Sequence, residues 1–309
     1  MILVISLNSS MDKIYTVKNL LYGGVARADS VNNTAGGKGI HVANVITNIG
    51  EECLLTGFVG GKTGEFIQKR LNERKIEHEF VCVETETRTC INIMTPDGKQ
   101  TEILEPGSFI EQAQQQLFLR KYKQLLQRAE VVVASGSLPV NVSSDFYGVL
   151  GSFANEAGKK FLLDTSGDAL QKSIFCKPYL VKPNLAEAEK FTGCSIKDVY
   201  TAAKAVHALQ RNVTVPVISM GKDGAVISYE NNVYHVLPPQ IPLVNAVGSG
   251  DAFVAGMAIG FYRKDSIENI IRLACACGTA NAMEAESGCV KKANVEKLLE
   301  KIVIKKLNI

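Results

Sequence analysis

The sequence has few of the features that mark membrane, metal-binding or nucleic-acid-binding proteins. It contains no tryptophan, and only 4 histidines and 9 prolines occur among its 309 residues. The formal net charge is only +3, and no block rich in Lys and Arg stands out. A nucleic-acid footprint is therefore not expected. Any anionic ligand must instead be bound by a local group of residues.

Cysteine pairs with the spacing of metal ligands are also missing. The 8 cysteines stand at positions 53, 82, 90, 176, 194, 275, 277 and 289, and none forms a Cys-x-x-Cys pair. Cys275 and Cys277 lie in an apolar stretch of helical character, where alternate residues point to different faces. Because no spaced set of histidines accompanies them, we interpret the cysteines as mostly buried, reduced thiols and expect no zinc site.

The N-terminal run MILVISL is too short to cross a bilayer and lacks the basic residues of a leader peptide. It predicts a first buried strand. We therefore expect a soluble, cytoplasmic protein with no membrane partner.

Strand-like and helix-like apolar runs alternate along the chain, separated by Gly, Pro, Ser or Asn. The runs include ILVISL, GIHVANVITNIG, VVVASG, FLLDTS, YLVKPN and VPVISMG. Such alternation predicts an α/β fold with a central, mostly parallel sheet covered on both faces, and with ligands at the strand ends. No repeat or long linker interrupts it, so residues 1–309 are expected to form a single domain.

Two regions, roughly 13–33 and 80–106, depart from this alternation. The first is polar and interrupted by Gly, and the second alternates apolar and polar residues around a Pro-Asp-Gly turn. A period of two is typical of half-exposed antiparallel strands. We therefore predict a small β-sheet lid beside the main sheet.

The stretch VNAVGSGDAF places three small residues directly before an acid. The apolar run that follows predicts a buried helix, so Gly248, Ser249 and Gly250 stand at a helix start, where unpaired N–H groups attract an anion. Asp251 would then lie beside that anion. The alternative is an N-cap acid behind a glycine turn, which for an isolated Gly-x-Gly-Asp is the simpler interpretation.

The stretch AGGKGIHVAN offers a second anion site. Gly36 and Gly37 provide backbone donors, Lys38 a point charge, and Asn44 an amide for a hydroxyl. A glycine-rich turn with a solvated lysine explains this stretch equally well by itself, and the presence of GSGD elsewhere favours the binding site.

Two further stretches allow a structural and a functional interpretation. In VKPNLAEAEKF, Asn184 and Glu187 either orient water around Mg²⁺ or form a helix N-cap with an acidic first turn, and the cap is the simpler explanation. In VISMGKDG, Ser219, Gly221 and Gly224 follow a strand and form either a plain β-turn or a surface for phosphates or adenine.

Two common nucleotide-binding signatures are not met. GFVGGKTGEF looks like a phosphate-binding P-loop, but position 56 is Thr where the spacing requires Gly. No Gly-x-Gly-x-x-Gly fingerprint follows a strand, which disfavours a nicotinamide-dependent dehydrogenase.

Taken together, the motifs resemble those of the ribokinase-like PfkB carbohydrate kinases, in the phosphosugar branch that contains 1-phosphofructokinase and tagatose-6-phosphate kinase. The resemblance rests on LNSSMD, AGGKGIHVAN, Arg88, SGSLP, KPNLAEAE, SMGKDG and VNAVGSGDAF, and extends from the first strand to at least Asn281. It implies a three-layer ribokinase-like fold with a β-sheet lid, ATP and Mg²⁺ as cofactors, and a homodimer formed through the lid.

The resemblance also assigns roles to individual residues. Asp251 matches the base that accepts the proton of the sugar hydroxyl, and Gly248, Ser249 and Gly250 match the anion hole for the transferred phosphoryl group. The implied substrate-binding residues are Asp12, Gly36, Gly37, Lys38, Asn44, Arg88 and Ser137, with Arg27 as a further candidate that would reach a neighbouring subunit's site. The implied magnesium residues are Asn184 and Glu187, and the implied nucleotide-binding residues are Ser219, Gly221, Lys222, Gly224 and Asn281.

Two positions depart from the family pattern, Ser9 where this branch often has Pro, and His41 where Asn is frequent. We interpret His41 as packing on its helix, and the alternative is that it faces the sugar. The predicted function is ATP-dependent phosphorylation of fructose 1-phosphate to fructose 1,6-bisphosphate, with tagatose 6-phosphate as the alternative substrate. A non-catalytic sugar-phosphate sensor is the alternative of another class, and the intact Asp251 argues against it.

Overall fold

Residues 1–308, which the computed structural model describes, form 15 strands and 10 helices. The strands are β1 (Ile2–Ser6), β2 (Ser10–Val17), β3 (Ala28–Gly36), β4 (Cys53–Gly60), β5 (Glu77–His78), β6 (Val81–Val83), β7 (Thr89–Met94), β8 (Gln100–Leu104), β9 (Val131–Ser135), β10 (Lys160–Asp164), β11 (Leu180–Val181), β12 (Val215–Ser219), β13 (Ala225–Tyr229), β14 (Asn232–Leu237) and β15 (Val303–Leu307). The helices are α1 (Lys38–Ile49), α2 (Gly61–Glu73), α3 (Gln112–Leu126), α4 (Phe146–Glu156), α5 (Gly167–Ser173), α6 (Leu185–Thr192), α7 (Val199–Leu209), α8 (Ser249–Arg263), α9 (Ile267–Asn281) and α10 (Lys292–Leu299).

The larger of two sheets contains 11 strands in the order β15-β14-β13-β12-β11-β10-β9-β1-β4-β5, with β6 also paired to β4. The strands from β12 through β1 to β5 pair in parallel, and β12 to β15 form antiparallel pairs. The prediction of a central, mostly parallel sheet is confirmed.

Helices cover both faces of this sheet, as the alternation of side chains along β1 shows. Ile2 and Val4 pack into a core cluster with residues of α1, α8 and α9, whereas Leu3 and Ile5 pack into a second cluster with α3 and α4. Helix α8 is apolar on nearly every side because it lies between the sheet, α1 and α9. The fold therefore has three layers. None of the helices between residues 1 and 308 combines the length and apolarity needed to span a bilayer.

The smaller sheet has four strands in the order β3-β2-β7-β8, with a β7–β8 hairpin whose turn includes Gly98 at φ 78°. We call this sheet the lid. Its strands begin at Ser10 and end at Leu104. The predicted boundaries therefore need correction, because Val81–Val83 pairs with β4 in the large sheet. Its alternating burial has the same period as that of a lid strand, so periodicity alone does not identify the sheet to which a strand belongs.

The carboxyl ends of neighbouring parallel strands lie along one edge of the large sheet, where ligands of such folds gather. Several polar residues follow or end these strands. They are Ser137 after β9, Asp164 at the end of β10, Lys182 after β11 and Ser219 at the end of β12.

Candidate active site

Helix α8 begins with a turn that requires glycine. Gly248 is the N-cap of the helix and has a φ of 83°, in the left-handed region that favours glycine. A Cβ atom at this position would lie 2.6 Å from the backbone nitrogen of Gly288. Asp251 follows in the first helical turn and is buried. The predicted combination of a glycine turn, a helix N-terminus and an acid is therefore present.

The turn at 246–250 separates two cavities. On one side, Ala246, Ser249 and Gly250 line a cleft of about 660 Å³. On the other side, Val247 lines a cavity of about 60 Å³ beneath the lid, together with Asp12. The N-terminus of α8 thus has a large cleft on one side and a small cavity with mixed polar and apolar lining on the other.

The acids Asp251 and Asp12 are joined by His41. The Nδ1 atom of His41 lies 2.8 Å from Oδ2 of Asp251, and its Nε2 atom lies 3.8 Å from Oδ2 of Asp12. Burial of His41 by itself would lower the imidazole pKa, but the hydrogen bond and charge of Asp251 and the charges of Asp12 and Glu286 raise it above its ordinary value. Our interpretation of His41 as only packing on its helix is therefore corrected.

The imidazole is held in this place by the close approach of Gly288. A Cβ atom on Gly288 would lie 2.4 Å from Cβ of His41, and Gly288 has a φ of 65°. The Gly288 carbonyl accepts a hydrogen bond of 2.7 Å from Nδ2 of Asn44. The amide of Asn44, which we predicted to bind a sugar hydroxyl, is thus buried and holds the 288 segment against α1.

Asn281 also differs from its predicted position in the wall of the nucleotide site. The side chain is fully buried behind the α8 turn. Its Nδ2 donates to the Val247 carbonyl at 2.8 Å, and its Oδ1 accepts from the backbone N–H of Gly288 at 2.7 Å. Because both ends of the amide are used in this way, Asn281 supports the shape of the turn from behind.

A buried group of opposite charges lies near the same turn. Asp164 Oδ1 is 3.4 Å from Nζ of Lys182, and its Oδ2 is 3.7 Å from Nζ of Lys38. Burial alone would raise the pKa of Asp164, but the two ammonium groups hold it below its ordinary value. A methyl group on Gly250 would lie 3.2 Å from the Lys182 Nζ, so this ammonium faces the start of α8.

Asp164 and Lys182 were not identified from the sequence. Each is a charged residue at the end of a short buried strand, in FLLDTS and YLVKPN. A charge at that position of a parallel strand is a signal that could have found them, because strand ends of this kind meet at the ligand edge of the sheet.

Arg88 and Ser137 are brought together by Asn8, a residue that we also missed. The Nε and Nη2 atoms of Arg88 donate to the Asn8 carbonyl at 3.2 and 2.9 Å, and Nη1 donates to the Glu105 carbonyl at 2.9 Å. The Asn8 side chain donates to Ser137 Oγ at 3.0 Å. Arg27 lies apart from this group, on the exposed connection between β2 and β3.

The glycines of the AGGKG stretch allow the lid and α1 to approach closely. A Cβ atom on Gly36 would lie 2.0 Å from a carboxylate oxygen of Asp12, so only glycine leaves room for that acid. Gly37 has a φ of 97° and is the N-cap of α1. Lys38 then begins the helix with its ammonium group directed to Asp164.

Four of the five predicted nucleotide residues lie in the wall of the large cleft, and Asn281 does not. Ser219, Gly221, Lys222 and Gly224 line one side of it, opposite the turn at 246–250. The β12 end and the following turn therefore face the N-terminus of α8 across a space of nucleotide size.

Asn184 and Glu187 form a reciprocal helix cap at the edge of this cleft. The Glu187 carboxylate accepts from the Asn184 backbone N–H, and Asn184 Oδ1 accepts from the Glu187 backbone N–H, both at 2.9 Å. Across residues 1–308, no group of three or more His, Cys, Asp and Glu side chains forms a metal cage. The cap uses Asn184 Oδ1 and one carboxylate oxygen of Glu187, so a cation here would be contacted mainly through water and phosphate oxygens.

Solved structures of sugar kinases share this architecture. A provisionally assigned phosphofructokinase from Staphylococcus aureus is 30% identical over 100% of this chain and 99% of that one, with a TM-score of 0.85. A possible 1-phosphofructokinase from Thermotoga maritima is 25% identical, with 100% of both chains covered and a TM-score of 0.91. Escherichia coli phosphofructokinase-2, at 24% identity with 97% and 98% of the chains covered, has a TM-score of 0.90 and supports the fold.

The model of the pfkB family carbohydrate kinases matches residues 1–291, which is nearly the whole sequence. The match includes both glycine-rich stretches and every residue of the two cavities discussed above. The chain therefore belongs to the pfkB family of carbohydrate kinases.

Proposed function

We propose that this sugar kinase transfers the γ-phosphoryl group of ATP to fructose 1-phosphate and produces fructose 1,6-bisphosphate. The observation that carries the proposal is the position of the 246–250 turn between a nucleotide-sized cleft and a small cavity under the lid whose lining includes Asp12. A phosphoryl group that moves from one side to the other must pass the N-terminus of α8 and Asp251.

On the nucleotide side, the chain offers preorganised positive potential. The backbone N–H groups of Gly248 and Gly250 and the helix N-terminus, which carries roughly half a unit of positive charge, would receive the γ-phosphoryl oxygens. The Ser249 N–H instead donates to the Ala246 carbonyl at 3.2 Å. Lys182 adds a fixed ammonium group behind the same turn. These groups would stabilise the charge that spreads over the phosphoryl oxygens in the transition state.

Asp251 would act as the general base. Its carboxylate accepts the proton of the sugar hydroxyl while that oxygen forms a bond to the γ-phosphorus. The bond between the γ-phosphorus and the bridging oxygen breaks, and ADP leaves with the electron pair. The bound Mg²⁺ would neutralise phosphate charge at the cleft edge, where Asn184 and Glu187 would contact it through water.

On the sugar side, Asp12 would accept hydrogen bonds from hydroxyl groups, and Arg88, Ser137 and Lys38 would bind the phosphate already on the substrate. Arginine has five N–H donors, and three of those in Arg88 are used by the carbonyls of Asn8 and Glu105. These bonds fix the guanidinium plane and leave further N–H groups for a phosphate oxygen.

The cavity beneath the lid is smaller than its proposed substrate. Its volume of about 60 Å³ is well below the roughly 300–1,000 Å³ of ordinary small-ligand sites. We therefore expect the lid to move outward when the phosphosugar enters. Closure of the lid over the sugar would then exclude water from the phosphoryl group and prevent hydrolysis of ATP.

The lid also supports a homodimer. Its edge strands β3 and β8 carry exposed apolar side chains, among them Val31 at 53% and Ile103 at 55% exposure. Exposed edges with apolar residues pair with other chains unless they are covered. We propose that a second copy of this chain covers them, so that Arg27 would reach the neighbouring subunit's sugar site.

The proposed function is tested by ADP release from purified protein with Mg·ATP. The panel contains fructose 1-phosphate, tagatose 6-phosphate, fructose 6-phosphate and the free sugars. We expect kcat/KM to be highest for fructose 1-phosphate. A higher value for tagatose 6-phosphate would replace the substrate and keep the mechanism, whereas no turnover with intact ligand binding would establish the sensor function instead.

A further inference from the structure

His41 stands between the two acids on which the proposed chemistry depends. It lies in the first turn of α1, and its ring nitrogens approach Asp251 at 2.8 Å and Asp12 at 3.8 Å. The side chain is 10% exposed, so water competes little for these contacts. The sugar kinases that the sequence resembles frequently have Asn at this position, and Asn carries no charge.

We propose that His41 is a positioning residue whose imidazolium holds the Asp251 carboxylate. The imidazolium binds Oδ2 of Asp251, so that Oδ1 faces the sugar hydroxyl. It also fixes the position of Asp251 relative to Asp12. This inference rests on the proposed role of Asp251 as the base. It adds a charged link between the base and the sugar-binding acid, and it makes turnover depend on the protonation of a histidine.

The surrounding charges favour the imidazolium. Asp251 on α8, Asp12 on β2 and Glu286 in the segment before Gly288 attract it, and each raises its pKa. Desolvation opposes it, as does the partial positive charge at the N-terminus of α1, which also carries Lys38. Contact with one carboxylate and proximity to a second outweigh these two effects, because electrostatic interactions are strong at short distance in a buried site.

The direction of the pH effect follows from the raised pKa. Below it, His41 is charged and offsets the repulsion between Asp12 and Asp251. As the pH rises through this pKa, the charge is lost and no imidazolium lies between the two carboxylates, which keep only the more distant charges of Arg88 and Lys38. We therefore expect kcat to fall on the alkaline side. The contribution of His41 to folding stability has the same sign, present below the unfolded pKa and lost as the pH rises through the folded one.

The first test measures protonation directly and needs no turnover. The chain has 4 histidines, so the imidazole C–H signals can be resolved by NMR, and the signal missing in His41→Asn identifies residue 41. We expect His41 to titrate above 6.5 in the native chain and at lower pH in Asp251→Asn. Asp265→Asn, at an exposed position just after α8, is the matched control and should leave the titration unchanged. The proposal is overturned if His41 titrates at or below 6.5 and its titration is the same in Asp251→Asn as in the native chain.

The second test is the pH profile of kcat with the best phosphosugar of the panel. His41→Asn keeps an N–H donor without a charge, so its profile should lose the alkaline decrease of the native enzyme. His41→Ala removes the donor as well and should lower kcat roughly 10- to 100-fold, with KM for ATP unchanged. An alkaline decrease that persists in His41→Asn contradicts the positioning role. If no sugar is phosphorylated at all, the proposed function fails, while the NMR titration still decides the charge of His41.

Discussion

The two sides of the 246–250 turn are constructed in different ways. The proposed nucleotide side is a cleft of about 660 Å³ that combines two glycine-containing turns, at 219–224 and 246–250, with apolar side chains such as Ile241 and Leu243. The proposed sugar side is a cavity of about 60 Å³ lined mainly by side chains of the lid, among them Asp12, which lies 3.8 Å from the His41 ring.

This difference predicts how each side would recognise the ligand that we propose for it. A helix N-terminus and glycine turns bind phosphate through backbone geometry, which tolerates many side chains nearby. A sugar phosphate is distinguished from other sugars by individual hydrogen-bonding side chains, and a site that leaves one of them unpaired discriminates strongly. We therefore expect two classes of substitution. Those on the first side should change kcat or KM for ATP, and those on the second should change KM for the sugar and the preference among sugars.

Asp251→Asn has the largest expected effect, because Asp251 lies where the two sides meet. We expect kcat to fall roughly 10²- to 10⁴-fold, the usual contribution of a general base, while KM for ATP and for the phosphosugar change little. Steady-state kinetics with the native protein and Asp265→Asn beside it measure this. If kcat of Asp251→Asn equals that of the native protein, Asp251 is not the general base, and no catalytic residue separates the two cavities.

Much of the fold was predictable from the sequence because it depends on local patterns. The runs ILVISL and VVVASG form β1 and β9, and AFVAGMAIGFY forms most of α8, since short and long apolar runs separate strands from helices. The alternation around Pro-Asp-Gly forms the β7–β8 hairpin. The lid boundaries were less accurate, because a period of two does not reveal the partner strand.

The candidate site was predictable only where backbone geometry requires a particular residue. Gly36, Gly37 and Gly248 stand in glycine-requiring positions, and their motifs identified the site. The contact between His41 and Asp251 joins residues 210 positions apart, and the contact between Lys38 and Asp164 depends on two strands meeting at one edge. No local pattern encodes such pairs, so these charge clusters required the three-dimensional structure.

Lys182→Met tests whether the nucleotide side depends on its buried charges as well as on its backbone. The substitution leaves Asp164 with Lys38 alone, whose side chain is 43% exposed. Breaking a buried ion pair costs about 3–5 kcal/mol of unfolding free energy, which chemical denaturation measures. Because Lys182 no longer lowers the pKa of Asp164, the variant should lose less stability than the native protein as the pH falls, so the difference in unfolding free energy should be largest near neutral pH and shrink in acid. Lys190→Met, at an exposed position in α6, is the control. Equal stability of Lys182→Met and the native chain would contradict this role.

Arg88→Ala tests the sugar side. A hydrogen bond to a charged group contributes about 1.5–3 kcal/mol, so KM for the phosphosugar should rise roughly 10- to 100-fold, while KM for ATP stays constant. The preference for the phosphosugar over free fructose should fall by the same factor. Arg120→Ala on the exposed face of α3 serves as the control. An unchanged KM for the phosphosugar would count against the proposed phosphate site and with it against the phosphosugar assignment.

Ile103→Glu has the smallest expected effect on catalysis, because Ile103 lines neither of the two cavities. Ile103 is 55% exposed on the edge strand β8, and burial of such a side chain is worth about 1.5–3 kcal/mol in each copy. A symmetric dimer loses this twice, so its dissociation constant should rise roughly a hundredfold or more, as sedimentation velocity measures. Leu117→Glu, at a 45% exposed position on α3, should leave the dimer intact.

If the dimer dissociates and KM for the phosphosugar rises while KM for ATP does not, a residue of the second copy contributes to the sugar side. If the native protein is already monomeric at micromolar concentration, each chain binds its sugar alone, and Arg27 has no part in the site.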